Sequence, residues 1–215
     1  MEKTNFDVII AGGGLAGLSL ARQLKLNRAE LNIAVIEKSE GPSESATHKS
    51  GESSGEVGAY YYAQVLELED YIEESHYEKL GLRYFFESPN GNFADRPEFG
   101  VDEFLPAKSY QFNRGTFENH LRDLTRQHGV ELIEGATVQD IEIHENETPN
   151  TVVYEKAGDT VTLNARWVVD ATGRRRIIQN KYGYNKKAGV TKHSSSWFRV
   201  KGRCNIDKVV PEANT

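Results

Sequence analysis

An uninterrupted apolar run, Val8-Ile9-Ile10-Ala11, breaks into Gly12-Gly13-Gly14-Leu15-Ala16-Gly17 and then into Leu18-Ser19-Leu20-Ala21-Arg22-Gln23-Leu24, a composition that favours helix. No other stretch of the chain constrains the fold as tightly. A strand apolar at every position must be covered on both faces, which is the situation of a parallel strand in an α/β protein. Glycines spaced G-x-G-x-x-G then have separate tasks. Gly12 allows a tight turn out of the strand, Gly14 clears the backbone for an approaching anion, and Gly17 lets the helix pack close to the strand. The helix start offers unpaired N–H groups and about half a positive charge, which suits a pyrophosphate. A second apolar run, Ile33-Ala34-Val35-Ile36, ends on Glu37, about twenty residues past Gly17. A carboxylate there accepts from ribose hydroxyls and repels a 2′-phosphate, so the pattern predicts an unphosphorylated adenosine end, as in FAD or NAD.

The remaining sequence continues the α/β pattern. Strands are expected over 7–11, 33–37, 130–133, 137–143, 151–155, 160–163 and 167–169. Helices are expected over 15–26 and 117–128, with a helical region over 55–74. Residues 82–87 and 111–112 are aromatic and β-prone, and 196–201 is a further β-prone run. Residues 39–54, rich in Ser, Gly, Glu and Lys, read as a loop long enough to point to function. Tyr60, Tyr61 and Tyr62 read as packing rather than as a platform for a planar ligand. Val168-Val169 runs into Asp170-Ala171-Thr172-Gly173, a second strand end followed by a glycine turn, which fits ligand binding at the carboxyl ends of parallel strands.

Composition narrows the partners. A net charge of −6 points to neither a nucleic-acid surface nor an anionic membrane. Arg174-Arg175-Arg176 stands alone and reads as a solvated loop. The single cysteine, Cys204, rules out an internal disulfide and reads as an inert thiol. His48, His76, His120, His128, His144 and His193 are scattered without metal-ligand spacing, so no metal is expected. No apolar stretch has the length of a membrane span and the first residues are polar, so the expected location is the cytoplasm.

Several motifs, in order along nearly the whole chain, carry a family resemblance. They are Gly12 to Gly17, Glu37-Lys38, His48-Lys49-Ser50-Gly51-Glu52-Ser53, Tyr110-Gln111-Phe112-Asn113-Arg114 followed by Phe117, and Trp167-Val168-Val169-Asp170-Ala171-Thr172-Gly173-Arg174. Ser196-Trp197-Phe198-Arg199-Val200-Lys201-Gly202 adds a late match. Together they resemble FAD-dependent oxidoreductases of the p-hydroxybenzoate-hydroxylase type, within them the tryptophan-halogenase-like group. The resemblance implies a Rossmann-like FAD-binding fold of the glutathione-reductase type with additional β-strands, C-terminally truncated relative to the family. Residues 1–215 would form the FAD-binding domain with the start of a substrate domain, to which about 55–110 and 190–215 would belong.

By the same resemblance, Gly12, Gly13, Gly14, Leu15, Ala16 and Gly17 hold the FAD pyrophosphate, and Glu37, with Lys38 beside it, the adenosine ribose. Lys49, Gly51, Glu52 and Ser53 approach the flavin. Gln111 and Arg114 lie near the phosphates and ribityl chain, and Val138, Asp170, Ala171, Thr172 and Gly173 line the cofactor. Lys79 lies in the region where halogenases carry their catalytic lysine; its other reading is a solvated lysine at a helix end before Gly81. One glycine fingerprint serves FAD, so electrons would come from transient NAD(P)H or from a partner flavin reductase. The reduced cofactor would then support hydroxylation or halogenation of a small-molecule substrate. The family's later G-D and W-x-W-x-I-P motifs do not occur, so an N-terminal portion is expected, with its own C-terminal half or a second copy as a partner. Two other readings stay open: an NAD-binding dehydrogenase module, and a catalytically incomplete nucleotide-binding remnant.

Overall fold

The computed structural model describes residues 4–45, 47, 49, 51–100, 103–104, 106–187, 189 and 194–208; His48, Ser50 and His193 lie outside the described residues. In chain order the elements are β1 (Asn5–Ala11), α1 (Leu15–Asn27), β2 (Ile33–Glu37), α2 (Glu56–Tyr60), α3 (Glu69–Ser75), β3 (Tyr77–Lys79), β4 (Tyr84–Phe85), β5 (Glu98–Phe99), β6 (Ser109–Gln111), α4 (Arg114–Gln127), β7 (Glu131–Glu134), β8 (Ala136–Glu142), β9 (Asn150–Lys156), β10 (Asp159–Asp170) and α5 (Ile177–Lys181). Contacts divide them into two units, Met1–Glu78 with Ser109–Lys186, and Lys79–Lys108 with Lys187–Thr215. Of the span 55–110 that the sequence sets apart, 55–78 therefore packs within the first unit.

The first unit is built on one sheet in the order β7-β2-β1-β10-β9-β8. β7, β2, β1 and the end of β10 run parallel, while β10, β9 and β8 form an antiparallel meander. The apolar runs explain the layering. Ile9, Ala11, Ala34 and Ile36 point to one face, into a cluster with Val138, Ile141, Val152, Tyr154 and Leu163 of the meander. Val8, Ile10, Ile33 and Val35 point to the other face, against Ala21, Leu20 and Leu24 of α1. Fully burying each large side chain contributes about 1.5–3 kcal/mol, so the covered central strands anchor the unit. A third cluster, from Leu18 through Leu66, Ile72, Phe112, Phe117 and Leu121, packs the helices on one another.

Three expectations change. Residues 160–163 and 167–169 belong to a single strand of 12 residues, not to two. Its residues 159–165 pair with β9 and its residues 164–170 with β1, so Asn164 and Ala165 serve both ladders. Asn164 and Arg166 break the apolar alternation without breaking the strand, because backbone pairing continues and Arg166 faces solvent. The run 196–201 forms no strand: Trp197, Phe198 and Val200 are exposed, and β propensity needs a pleated neighbour to act on. The helical region 55–74 is interrupted. A π turn at Tyr61–Val65 follows α2, and Glu67 then takes a left-handed φ of 54° before α3 begins. Arg22 caps the break, its Nε donating to the Leu66 carbonyl at 2.7 Å.

Two of the three tyrosines do pack. Tyr62 sits edge-on to Phe112 and Phe117, with ring centres 5.4 and 5.2 Å apart, and the Tyr61 hydroxyl donates to Gln23 at 2.9 Å. Tyr60 is at the surface. In the second unit, β4 pairs antiparallel with β5, and Arg83 bridges Glu98 and Asp207.

Candidate functional site

The glycine turn separates its tasks as the spacing requires. Gly12 has φ 113° and donates its N–H to the Ile36 carbonyl at 2.8 Å. A Cβ there would strike the Ala171 carbonyl oxygen, and a Cβ on Gly17 would strike the Gly12 carbonyl oxygen. Both positions are therefore closed by backbone. At Gly14 a Cβ would meet nothing within 4 Å. Gly14 also caps α1 without a side-chain hydrogen bond, and the first turn carries no acidic residue. The start of this 13-residue helix is thus open at Gly14, with no acidic residue in its own first turn.

Glu37 closes over this turn. Its Oε2 accepts from the Gly13 N–H at 2.7 Å and its Oε1 from the Ser39 N–H at 2.9 Å. A carboxylate has about four acceptor sites, so capacity remains for ribose hydroxyls. Lys38 beside it is exposed.

The turn after β10 lies against Gly12, tied by the Ala171 N–H to the Ala11 carbonyl at 2.8 Å. Asp170 is engaged within the turn. Its Oδ1 accepts from the Thr172 N–H at 3.0 Å and the Thr172 hydroxyl at 2.5 Å, and its Oδ2 accepts from the Ile178 N–H at 2.9 Å. Its observed work is to shape the turn and to hold α5, an element that the basic run concealed in the sequence. Gly173 follows with φ 64°.

The fold also joins two motifs some sixty residues apart. Ser53 bridges Gln111, the Phe112 N–H donates to the Glu52 carbonyl at 2.6 Å, and the Ser54 N–H donates to the Tyr110 carbonyl at 2.9 Å. Residues 51–54 therefore run beside the lead into α4. Asn113 caps that helix, its side-chain oxygen accepting from Gly115 and Thr116 at 3.2 and 3.4 Å. Arg114 donates through Nε to Glu118 at 2.9 Å, and Lys49 reaches the other oxygen of Glu118 at 2.5 Å. Glu118 is only 2% exposed, whereas Lys49 is 41% exposed. The Arg114 N–H approaches Glu52 Oε1 at 3.5 Å. Sequence reasoning missed Glu118; its one signal was the i,i+4 spacing from Arg114.

Val138 lies on β8. Its side chain is buried in the apolar cluster between the meander and the parallel strands, beside a bulge in the β8–β9 ladder. Lys79 ends strand β3 rather than a helix and falls in the second unit. The extended backbone of His76, φ −132° and ψ 167°, terminates α3 before that lysine is reached. His76 is buried, and its Nδ1 accepts from the Asn113 N–H at 3.3 Å. Burial, reinforced by the charge of His120, lowers its pKa and favours the neutral ring.

Residues 5–215 match the FAD binding domain family. The chain belongs to that family. The match resolves the dinucleotide left open by the glycine fingerprint as FAD. Flavin-dependent halogenase chlA from Dictyostelium discoideum is 29% identical over 221 residues, which is 92% of this chain and 37% of that protein. Mitochondrial L-2-hydroxyglutarate dehydrogenase from Caenorhabditis briggsae is 31% identical over 150 residues, 67% of this chain and 31% of that protein. Among solved structures, the myxobacterial chondrochloren halogenase CndH superposes with a TM-score of 0.64 at 25% identity, covering 80% of this chain and 38% of that one. The chain thus spans well under half the length of these relatives. Among the described residues no helix is long and apolar enough to cross a membrane.

Proposed function

We propose that this chain is the cofactor-holding part of an FAD-dependent oxidoreductase of the halogenase type. It acts on a small organic substrate, with electrons from a flavin reductase or NAD(P)H. The observation that carries the reading is the unfilled space over Gly14 at an uncapped helix start, walled by Glu37 and by the 170–173 turn. The residues present suit FAD. The start of α1 balances the charge of the pyrophosphate, and Gly14 leaves the approach clear. Glu37 receives the ribose hydroxyls while its bond to Gly13 fixes its orientation. Asp170 and Thr172 keep the second turn folded against Gly12, and Gln111, Arg114, Lys49, Gly51, Glu52 and Ser53 supply the remaining wall. Bound FAD contributes two-electron redox chemistry and, when reduced, reaction with oxygen.

On the family resemblance alone, Lys79 is the residue whose ammonium would direct an electrophilic halogen to the substrate, against its other reading as a solvated lysine. Lys79→Ala should then abolish halogenated product while flavin binding stays unchanged; full halogenation by that variant removes the assignment. A second reading, flavin-dependent dehydrogenation of a hydroxy acid, draws on the dehydrogenase relative but on a smaller share of the chain.

The test supplies purified protein with FAD, NADH, a flavin reductase, chloride or bromide, and a small aromatic acceptor, and reads products by mass. A halogen isotope pattern supports the halogenase reading. Oxidation of a 2-hydroxy acid in a parallel assay with oxidised FAD and a dye as electron acceptor, without halogenated product in the first assay, favours the second reading, and protein that retains no flavin overturns the site.

A further inference from the structure

One face of α4 is occupied by the loop that follows β2. Gly115, Glu118, Asn119 and Arg122 recur at helical spacing and share that face. A Cβ on Gly115 would strike the Glu44 carbonyl oxygen, so the loop backbone lies directly on the helix there. Asn119 clasps Ser43 from both sides, accepting from its N–H and donating to its carbonyl, each at 2.8 Å. Arg122 donates to the Gly41 carbonyl, and its guanidinium is held by Glu134 at 3.2 Å. Glu118 completes the row. It is the buried anion between Lys49 of the loop and Arg114 of the helix.

Lys49 and Arg114 repel one another wherever both approach a single point. A buried carboxylate shared between them removes that repulsion and fixes both side chains at once. No flavin atom is required for this role, and none of the bonds of Glu118 named above reaches the open space over Gly14.

We propose that Glu118 is a positioning residue that, with Gly115, Asn119 and Arg122, straps residues 41–45 and Lys49 onto α4 and so sets how long the cofactor stays bound. The proposal rests on the FAD reading of the site above. By that reading Lys49 forms part of the wall around the cofactor, so loosening the strap opens that wall and acts on dissociation rather than on encounter.

The test compares wild-type protein with Glu118→Gln, which keeps the side-chain volume, and with Lys49→Met and the double variant. Stopped-flow flavin fluorescence gives association and dissociation rates separately. Glu118→Gln should dissociate FAD about tenfold faster with association within twofold of wild type, and the effects of Glu118→Gln and Lys49→Met should fall short of additive in the double variant. General destabilisation would instead reduce the binding-competent fraction and slow association. Unchanged dissociation, or a loss confined to association, overturns the role. A ligand-free arm reads trypsin cleavage after Lys49 by mass spectrometry. Faster cleavage in Glu118→Gln, relative to cleavage after Lys38, supports the strap, and equal rates overturn it. Wild-type protein that binds no FAD refutes the site reading instead, and the trypsin arm still decides whether Glu118 tethers the loop.

Discussion

Gly14 and Gly17 are three residues apart and absent of side chains for opposite reasons. At Gly17 the obstacle to a side chain is the protein's own backbone, the Gly12 carbonyl. Gly17→Ala should therefore lower stability by about 3 kcal/mol, because helix and strand must separate to admit one methyl group. At Gly14 the protein offers no obstacle and the backbone is already extended, φ −81° and ψ −172°. Gly14→Val should leave the melting temperature nearly unchanged while weakening FAD binding at least about a hundredfold, or ~2.7 kcal/mol. Differential scanning fluorimetry paired with flavin titration separates the two effects. A Gly14→Val protein that folds and binds FAD like wild type removes the pyrophosphate from this turn. The glycine spacing made both positions legible in the sequence. The double engagement of Glu118, and of Asp170 with Thr172 and Ile178, was not legible, because a side chain's partners in space are not encoded by its neighbours in sequence.

At the scale of elements, the joint between α3 and α4 buries a titratable ring. His76 lies at the end of one helix and accepts from Asn113, the cap of the next. Tyr71, Phe112 and Phe117 pack around its ring, and His120 stacks on Tyr71. Burial lowers the pKa of both His76 and His120 in the folded protein, so the unfolded chain takes up protons first. Their contribution is fully present above the usual imidazole value of about 6.5 and is lost as pH falls through the lowered folded values. Unfolding in urea should show stability falling below about pH 6.5, with a smaller fall in His76→Gln. An identical pH profile in that variant would exclude His76 as a source. The elements themselves were legible wherever hydrophobic pattern and chain punctuation agreed, as in β1, β2 and α4. They were not legible where polar residues continue a strand, as at Asn164 and Arg166. The run around Trp197 shows the reverse case, in which β-prone residues join no strand among the described residues.

At the scale of the whole molecule, ligand binding and stability are linked. Free FAD at a hundred times its dissociation constant should stabilise the folded chain by about 2.7 kcal/mol. For a chain of this size that corresponds to a rise of roughly 5–10 °C in the melting temperature. The rise should be absent with NADP, whose 2′-phosphate would meet Glu37. A comparable rise with NADP would reassign that carboxylate.

The pairing of β1 with the end of β10 also bears on how the protein is made. Ile9 lies beside Val168 in the finished sheet, so β1 leaves the ribosome well before β10, the strand it pairs with. At about 5–20 residues per second, that delay is roughly 8 to 30 seconds. Throughout it, one edge of β1, with its apolar run Val8-Ile9-Ile10-Ala11, lacks its eventual neighbour. Nascent protein is therefore most exposed to mispairing during synthesis, and a holding chaperone should improve its yield more than a stabilising ligand added after release.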